Sequence, residues 1–435
     1  MQVNDLILIS VDDHVIEPAT MFDQHLSPEH RKLAPSYVTD DQGNGIWSWE
    51  HEQKQTYNVG LNAVVGRPKE EYGFEPTAID QMRPGTWDVN ARVADMNVNG
   101  LLGSLNFGTF VNFDGSFFFN AKDKANALRV LRAYNDWHID EWCGAHPGRF
   151  IPLAILPCWD AVACVEEVKR VAKKGCHAVS FPENPANKGL PSIHNEVWEP
   201  LWKICNDLRV VINCHIGTGN PPPHPSDESP ISAWITAMPI SIALGAADWL
   251  HLTALNRYPN LKIALSEGGI GWIPYFLERA DFTLSQHGAW TRSQFGKKLP
   301  SEVFREHFIT CFIDDRAGCK NLDDIGEDIV CYECDYPHSD CVWPYAPEQV
   351  MKNFPGLSDH TINKITHLNV MREYQFDPIK LLGRENCTVG ALRAQAKDVD
   401  TVPRSSKGED PRIYGDPSKP VSSGDVWKVY RASKV

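Results

Sequence analysis

Long apolar runs are what this sequence most plainly lacks. No stretch of its 435 residues holds 18 consecutive apolar side chains, so no membrane-crossing helix is expected. Positive charge is also scarce: 42 Lys and Arg face 56 Asp and Glu, a formal charge of −14. That balance argues against nucleic acid or an anionic membrane as the main partner, because both require a basic face. The N-terminal MQVNDLILIS has neither a basic stretch nor a cleavable apolar segment, so no secretory signal is expected. Twelve cysteines run from Cys143 to Cys387 without the spacing of a disulfide framework. Free thiols in a reducing cytoplasm are the expectation. Cys331 and Cys334 form one C-x-x-C with no second pair, and packing thiols are the expected role. Internal repeats and long low-complexity segments are absent too.

What is present is an ordinary globular composition, 42% hydrophobic and 23% charged. Short apolar runs recur with helical patterns between them. They fall at 6–14, 100–108, 149–157, 177–184, 210–218, 261–269, 307–315 and 328–340. Helices are expected at 87–99, 160–174 and 195–208, each just ahead of such a run. Continuous apolar strands alternating with helices indicate a parallel sheet buried on both faces. Eight units in this order predict an α/β fold, a distorted (β/α)8 barrel spanning 1–394. Two stretches break the alternation. Residues 37–90, with GIWSWE and QTYNVG, read as short antiparallel strands in a cap inserted after strand one. Residues 395–435 read as a polar tail covering the surface or a neighbouring subunit, so a homo- or hetero-oligomer is expected.

Barrel chemistry gathers at the C-terminal ends of strands. Strand one ends in Asp12, His14 and Glu17, strand five in His215, strand six in Glu267, and strand eight in Asp335 and His338. Singly, an acid at a strand end is usually a helix cap, and a histidine near a core is usually structural. Together they form one set of imidazoles and carboxylates at one mouth. Clustered carboxylates repel unless a cation compensates them, so all seven are candidate ligands of a divalent metal. Asp12 and His14 lie two apart and share a side, taken as the barrel axis; Asp13 then faces the helices and is excluded. His177 stands at the start of strand four and reads as structural. Trp272, Trp343 and Phe107 are candidate pocket walls. The cap and the loop 217–230 are expected to set the choice of substrate, and His224 within that loop reads as a surface histidine.

The motifs D-x-H-x-x-E-P, H-x-G, GGIGWIPYFLERAD and DYPHSD, in this order over about residues 6–390, resemble the amidohydrolase superfamily. The nearest branch is the amidohydrolase-2 group, which includes aminocarboxymuconate-semialdehyde decarboxylase. The resemblance implies a metal at the barrel mouth, with Asp12, His14, His215 and Asp335 at the ligand positions and Asp335 handling protons. Two positions depart from the family pattern: Asp12 stands where His is frequent, and Glu267 where strand six often carries a catalytic His.

A metal-dependent hydrolase or decarboxylase of a small carboxylate- or carbonyl-bearing substrate is therefore expected, with Asp335, Glu267 and His338 as catalytic groups. One or two ions of Zn, Fe or Mn are expected, and the carboxylate-rich set suits Mn or Fe better than Zn. The alternatives are a non-haem dinuclear Fe or Mn/Fe oxygenase and a scaffold subunit of a hetero-oligomer.

Overall fold

The computed structural model describes residues 1–39, 41, 43–50, 53–55, 60, 62–73, 76–220, 225–405 and 418–432. Every expected apolar run contributes strand. These are β1 (Leu8–Val15), β5 (Leu101–Gly108), β6 (Phe150–Ile151), β7 (Ala154–Ile155), β8 (Ala178–Ser180), β9 (Val211–His215), β10 (Ile263–Ser266), β11 (Phe308–Phe312) and β12 (Val330–Tyr332). All pair in parallel, in the order β6-β5-β1-β12-β11-β10-β9-β8-β7. The two ends of this row belong to one chain run. The sequence predicts a single strand over 149–157, but Pro152 has no N–H to donate and the run splits there. Its first half pairs with β5 and its second with β8. The result is a barrel-like α/β fold.

The helices sit where caps and patterning place them. Val89–Asn99 starts at Asp88, whose side chain accepts from the Ala91 N–H, and stops at Gly100 with φ 70°. Ala161–Ala172 starts at Asp160, which accepts from Val162 and Ala163. Glu199–Leu208 has no side-chain cap at its start; it carries a proline in its first turn and ends at Arg209 in left-handed backbone.

Two apolar clusters explain why the strands read as unbroken hydrophobic runs. One fills the inside of the sheet with Ile7, Ile9, Val11, Leu105, Phe107, Val211, Ala264, Cys311 and Cys331. The other lies between sheet and helices and takes the alternate residues Leu8, Ile212, Cys214, Ile263, Leu265 and Val330. All twelve cysteines are free and buried, in keeping with packing roles for Cys331 and Cys334.

The insertion after β1 carries an antiparallel sheet of β2 (Ser36–Thr39), β3 (Gly45–Trp49) and β4 (Gln53–Gln55). GIWSWE supplies β3; most of QTYNVG lies outside the described residues, as does His224. Trp47 and Trp49 dock on Phe110 and Phe117 at 4.5 and 5.4 Å between rings, fastening this sheet to the chain after β5. The described parts of the tail fold back on this chain. Residue 404 donates its N–H to the Gly66 carbonyl at 2.8 Å. A helix at Ser423–Ala432 stacks Trp427 on Trp234 at 5.6 Å. Among the described residues no single helix is long and apolar enough to cross a membrane.

Candidate metal centre

Strand β1 brings two side chains to the site by an irregularity that alternation does not anticipate. Ile7, Ile9 and Val11 face the barrel interior. Strict alternation would then send Asp13 inward. Instead the register against β5 shifts between Ser10 and Asp13, a bulge that changes which face follows. Beyond it Asp12 and His14 point into the site, while Val15 returns to the outer core. Asp13 is buried away from them: Ser10 Oγ and the Tyr336 N–H donate to its Oδ1 at 3.0 and 3.1 Å, and Ser104 Oγ donates to its other oxygen. The chain after β12 continues beside β1, with Asp335 N donating to the Asp12 carbonyl at 2.8 Å and His14 N to the Tyr336 carbonyl at 2.7 Å.

The other strands add their groups at the same end. Val211, Asn213 and His215 alternate inward on β9. The Nδ1–H of His215 donates to the Ile216 carbonyl at 2.7 Å, which leaves the Nε2 lone pair for a ligand. Cys331, Glu333 and Asp335 alternate inward along and past β12. Asp335 and Glu267 both hold left-handed backbone, with φ 56° and 59°. Such strain persists only where surrounding structure enforces it, and it gathers at functional sites. At Glu267 the enforcing group is Glu333, whose Oε2 accepts the Glu267 N–H at 3.0 Å.

The atoms converge. His14 Nε2 lies 3.2 Å from Asp335 Oδ1 and 3.6 Å from Asp12 Oδ1. His215 Nε2 lies 2.9 Å from Glu267 Oε2 and 3.6 Å from Asp12 Oδ2. His338 Nδ1 lies 2.9 Å from Asp335 Oδ1, and its ring stacks on His14 at 3.9 Å. Among the described residues two metal-compatible groups result, His14 with Glu267, Asp335 and His338, and Asp12 with His14 and His215. Both use His14. One imidazole nitrogen has one lone pair, so its Nε2 serves a single ion.

Both oxygens of Asp12 and of Asp335, both nitrogens of His14, and Nε2 of His215 and His338 are buried without a hydrogen-bond partner. Orphaned polar atoms of this number are costly. Burial, then the carboxylates of Glu333, Glu267 and Asp335, hold the Asp12 carboxyl well above its usual range. Burial, then His338 and His215, hold His14 well below its own. A divalent cation relieves both strains at once, since it pairs with the carboxylates and takes up neutral imidazole. The donor set, imidazole nitrogens with several carboxylates, fits Mn, Fe or Zn by ligand type.

Glu17 is the expected ligand that the structure does not bring to this group. Its carboxylate accepts from the Phe110 N–H at 2.9 Å and the Tyr134 hydroxyl at 3.2 Å, bracing the turn after β5. Past the end of β1, that backbone donor captures it. Phe107 is fully buried, 5.0 Å from the His215 ring and 5.9 Å from that of His14, and is not among the residues lining the cavity beside the cluster. Trp272 and Trp343 do line the cavity beside the cluster, of about 1250 Å³, with Glu267, Glu333 and Asp340. His177 lies at the start of β8 and accepts from Gln375 Nε2 at 2.9 Å. Sequence reasoning missed Glu333 and Phe113. The spacing of Glu333 from Asp335 matches that of Asp12 from His14 and was a usable signal. Phe113, whose ring lies 4.6 Å from His14 and 4.5 Å from His215, sits in an irregular loop with no periodicity to reveal it.

Solved structures share this fold. An amidohydrolase from Mycobacterium avium subsp. paratuberculosis superposes with a TM-score of 0.65 at 17% identity, covering 85% of this chain and 99% of its own. A variant 5-carboxyvanillate decarboxylase from Novosphingobium aromaticivorans, with bound manganese and 3-methoxy-4-hydroxy-5-nitrobenzoic acid, gives 0.60 at 16% identity, covering 86% and 99%. A 2,6-dihydroxybenzoate decarboxylase from Rhizobium gives 0.52 at 18%, covering 85% and 98%. At these identities the likeness is one of fold. No curated protein matches the chain. Over residues 23–376 the sequence matches the profile described as Amidohydrolase, and the chain belongs to that family, Amidohydro_2.

Proposed function

We propose that the protein is a divalent-metal-dependent decarboxylase or hydrolase of a small carboxylate- or carbonyl-bearing substrate. The observation that carries this reading is the convergence of buried, unpartnered ligand atoms from Asp12, His14, His215 and Asp335 at one end of the sheet. The family and the manganese-containing fold relative support it. A divalent ion there supplies Lewis acidity to a carboxylate or carbonyl oxygen and acidifies water.

The protein's own residues do the rest. Glu267 is the member of the cluster with exposed surface, its side chain 20% accessible, so it meets both the ion position and the cavity. In this reading it holds the ion from the cavity side and accepts a proton from substrate or water. Burial opposes the charged form of His338, but Asp335 beside it outweighs that, raises its pKa and so favours a bound proton. Its unpartnered Nε2 is the atom placed to deliver that proton to the carbon that loses CO2, or to a leaving group. Phe113 and Phe107 flank the imidazoles and keep water from their edges.

Metal analysis of the purified protein tests the reading. One equivalent of Mn, Fe or Zn, lost in Asp12→Asn and His215→Ala, is the expected result. Two equivalents of Fe or Mn would favour the dinuclear oxygenase instead. Asp335→Asn and His338→Gln, assayed against a panel of small aromatic and aliphatic acids, should lose turnover by about 10²–10⁴-fold. Release of CO2 without uptake of solvent ¹⁸O identifies decarboxylation; ¹⁸O uptake identifies hydrolysis.

A further inference from the structure

The family match ends at residue 376, yet part of the cavity wall comes from later in the chain. Thr401 and Pro403 line the cavity opposite no barrel strand of their own; they join Gly66, Arg67, Lys69 and Tyr72 of the insertion. The contacts that hold them are specific. The Arg404 N–H donates to the Gly66 carbonyl at 2.8 Å. Arg83 Nη2 donates to the Asp400 carbonyl at 2.9 Å, while its Nε and Nη2 grip Asp95 at 2.7 and 2.6 Å. Arg83 thus ties the tail to the helix Val89–Asn99. Ser405 Oγ donates to Glu71 in the insertion. Within the segment, Asp400 accepts from the Val402 N–H at 3.0 Å and from Arg404 Nε at 3.0 Å, which fixes its turn.

Placement decides what such a segment can do. Its charged side chains, Asp400 and Arg404, pair with each other, and Ser405 pairs with Glu71, so it offers the cavity the small side chain of Thr401 and the stiff ring of Pro403. Neither has a charge to bring to the metal cluster. A wall of this kind acts by shape, admitting or refusing substrates by size. We propose that residues 400–405 are a specificity-determining wall of the site, set against residues 66–72, and that they limit the bulk of the acid that reaches the metal position. The inference rests on the metal-site reading above.

Two substitutions in the full-length, Mn-loaded protein test it, and both lie outside the ligand set. Thr401→Trp adds bulk to the wall. Arg404→Pro deletes the N–H that holds the segment to Gly66. The probes are oxalate, 3-methoxy-4-hydroxy-5-nitrobenzoic acid, and EDTA extraction of Mn, each followed by the Mn(II) resonance spectrum. Thr401→Trp should weaken the nitrobenzoic acid about tenfold and leave oxalate within about twofold, the size of discrimination that pocket shape gives. Arg404→Pro should speed EDTA extraction severalfold at unchanged Mn stoichiometry. Equal weakening of both acids, or unchanged affinities together with an unchanged extraction rate, overturns the wall. Where neither acid binds the wild type, the extraction rate decides alone. Wild-type protein that binds no Mn overturns the metal reading and this inference with it, whereas retained Mn with indifferent variants removes only the wall.

Discussion

At Glu17 the dominant influence is burial, which lifts the carboxyl from its usual 4.5 to about 7 against the opposing hydrogen bonds from Phe110 and Tyr134. The folded state therefore binds a proton that the unfolded chain releases. The stability this confers is fully present below pH 4.5 and is lost as pH rises through about 7, a change of ~3 kcal/mol. Glu17→Gln has no such proton to lose. Its thermal midpoint should fall furthest below wild type near pH 5 and approach it near pH 8; a deficit independent of pH would contradict this. Phe107 makes a second residue-scale case. Phe107→Ala should cost about 3–5 kcal/mol in denaturant unfolding, because its ring fills the space beneath His14 and His215 and no neighbour can replace it.

At the scale of elements, the turn after β10 trades stability for placement. Glu267 at φ 59° carries a Cβ where glycine would carry none. Apoprotein bearing Glu267→Gly should therefore be more stable than Glu267→Ala by about 1 kcal/mol, while both lose the cavity-side carboxylate. Equal stability would mean that the left-handed backbone stores no strain. Strand β1 shows how far a sequence can be read at this scale. That Asp12 and His14 share a side follows from their spacing. That the shared side is the barrel interior does not, because Ile7, Ile9 and Val11 already occupy it and only the bulge opposite β5 exchanges the faces. The third run shows the converse. Pro152 stood in the sequence, and its missing N–H was a usable signal for the break between β6 and β7 that the reading of 149–157 as one strand passed over.

For the whole molecule, the buried orphan atoms couple metal to fold. A cation that binds only the folded protein adds ~2.7 kcal/mol at a hundred times its Kd. Exhaustive chelation should lower the melting temperature by about 3 °C or more, and Mn(II) should restore it. The Asp12→Asn variant should melt at the same temperature with and without Mn(II); a remaining metal response would place the binding elsewhere.

The sequence by itself determined which residue types stand at the strand ends, and the order of strands and helices. Both follow from local rules of burial, period and capping that any chain of this composition obeys. Only the tertiary structure decided which of those residues meet. A bulge turned Asp12 and His14 inward, a left-handed residue aimed Glu267 at His215, a backbone N–H drew Glu17 away, and the end of the chain came back to wall the cavity. Each of these depends on a partner distant in sequence, and pairing across such distances is fixed by the packing of the whole sheet rather than by any local pattern.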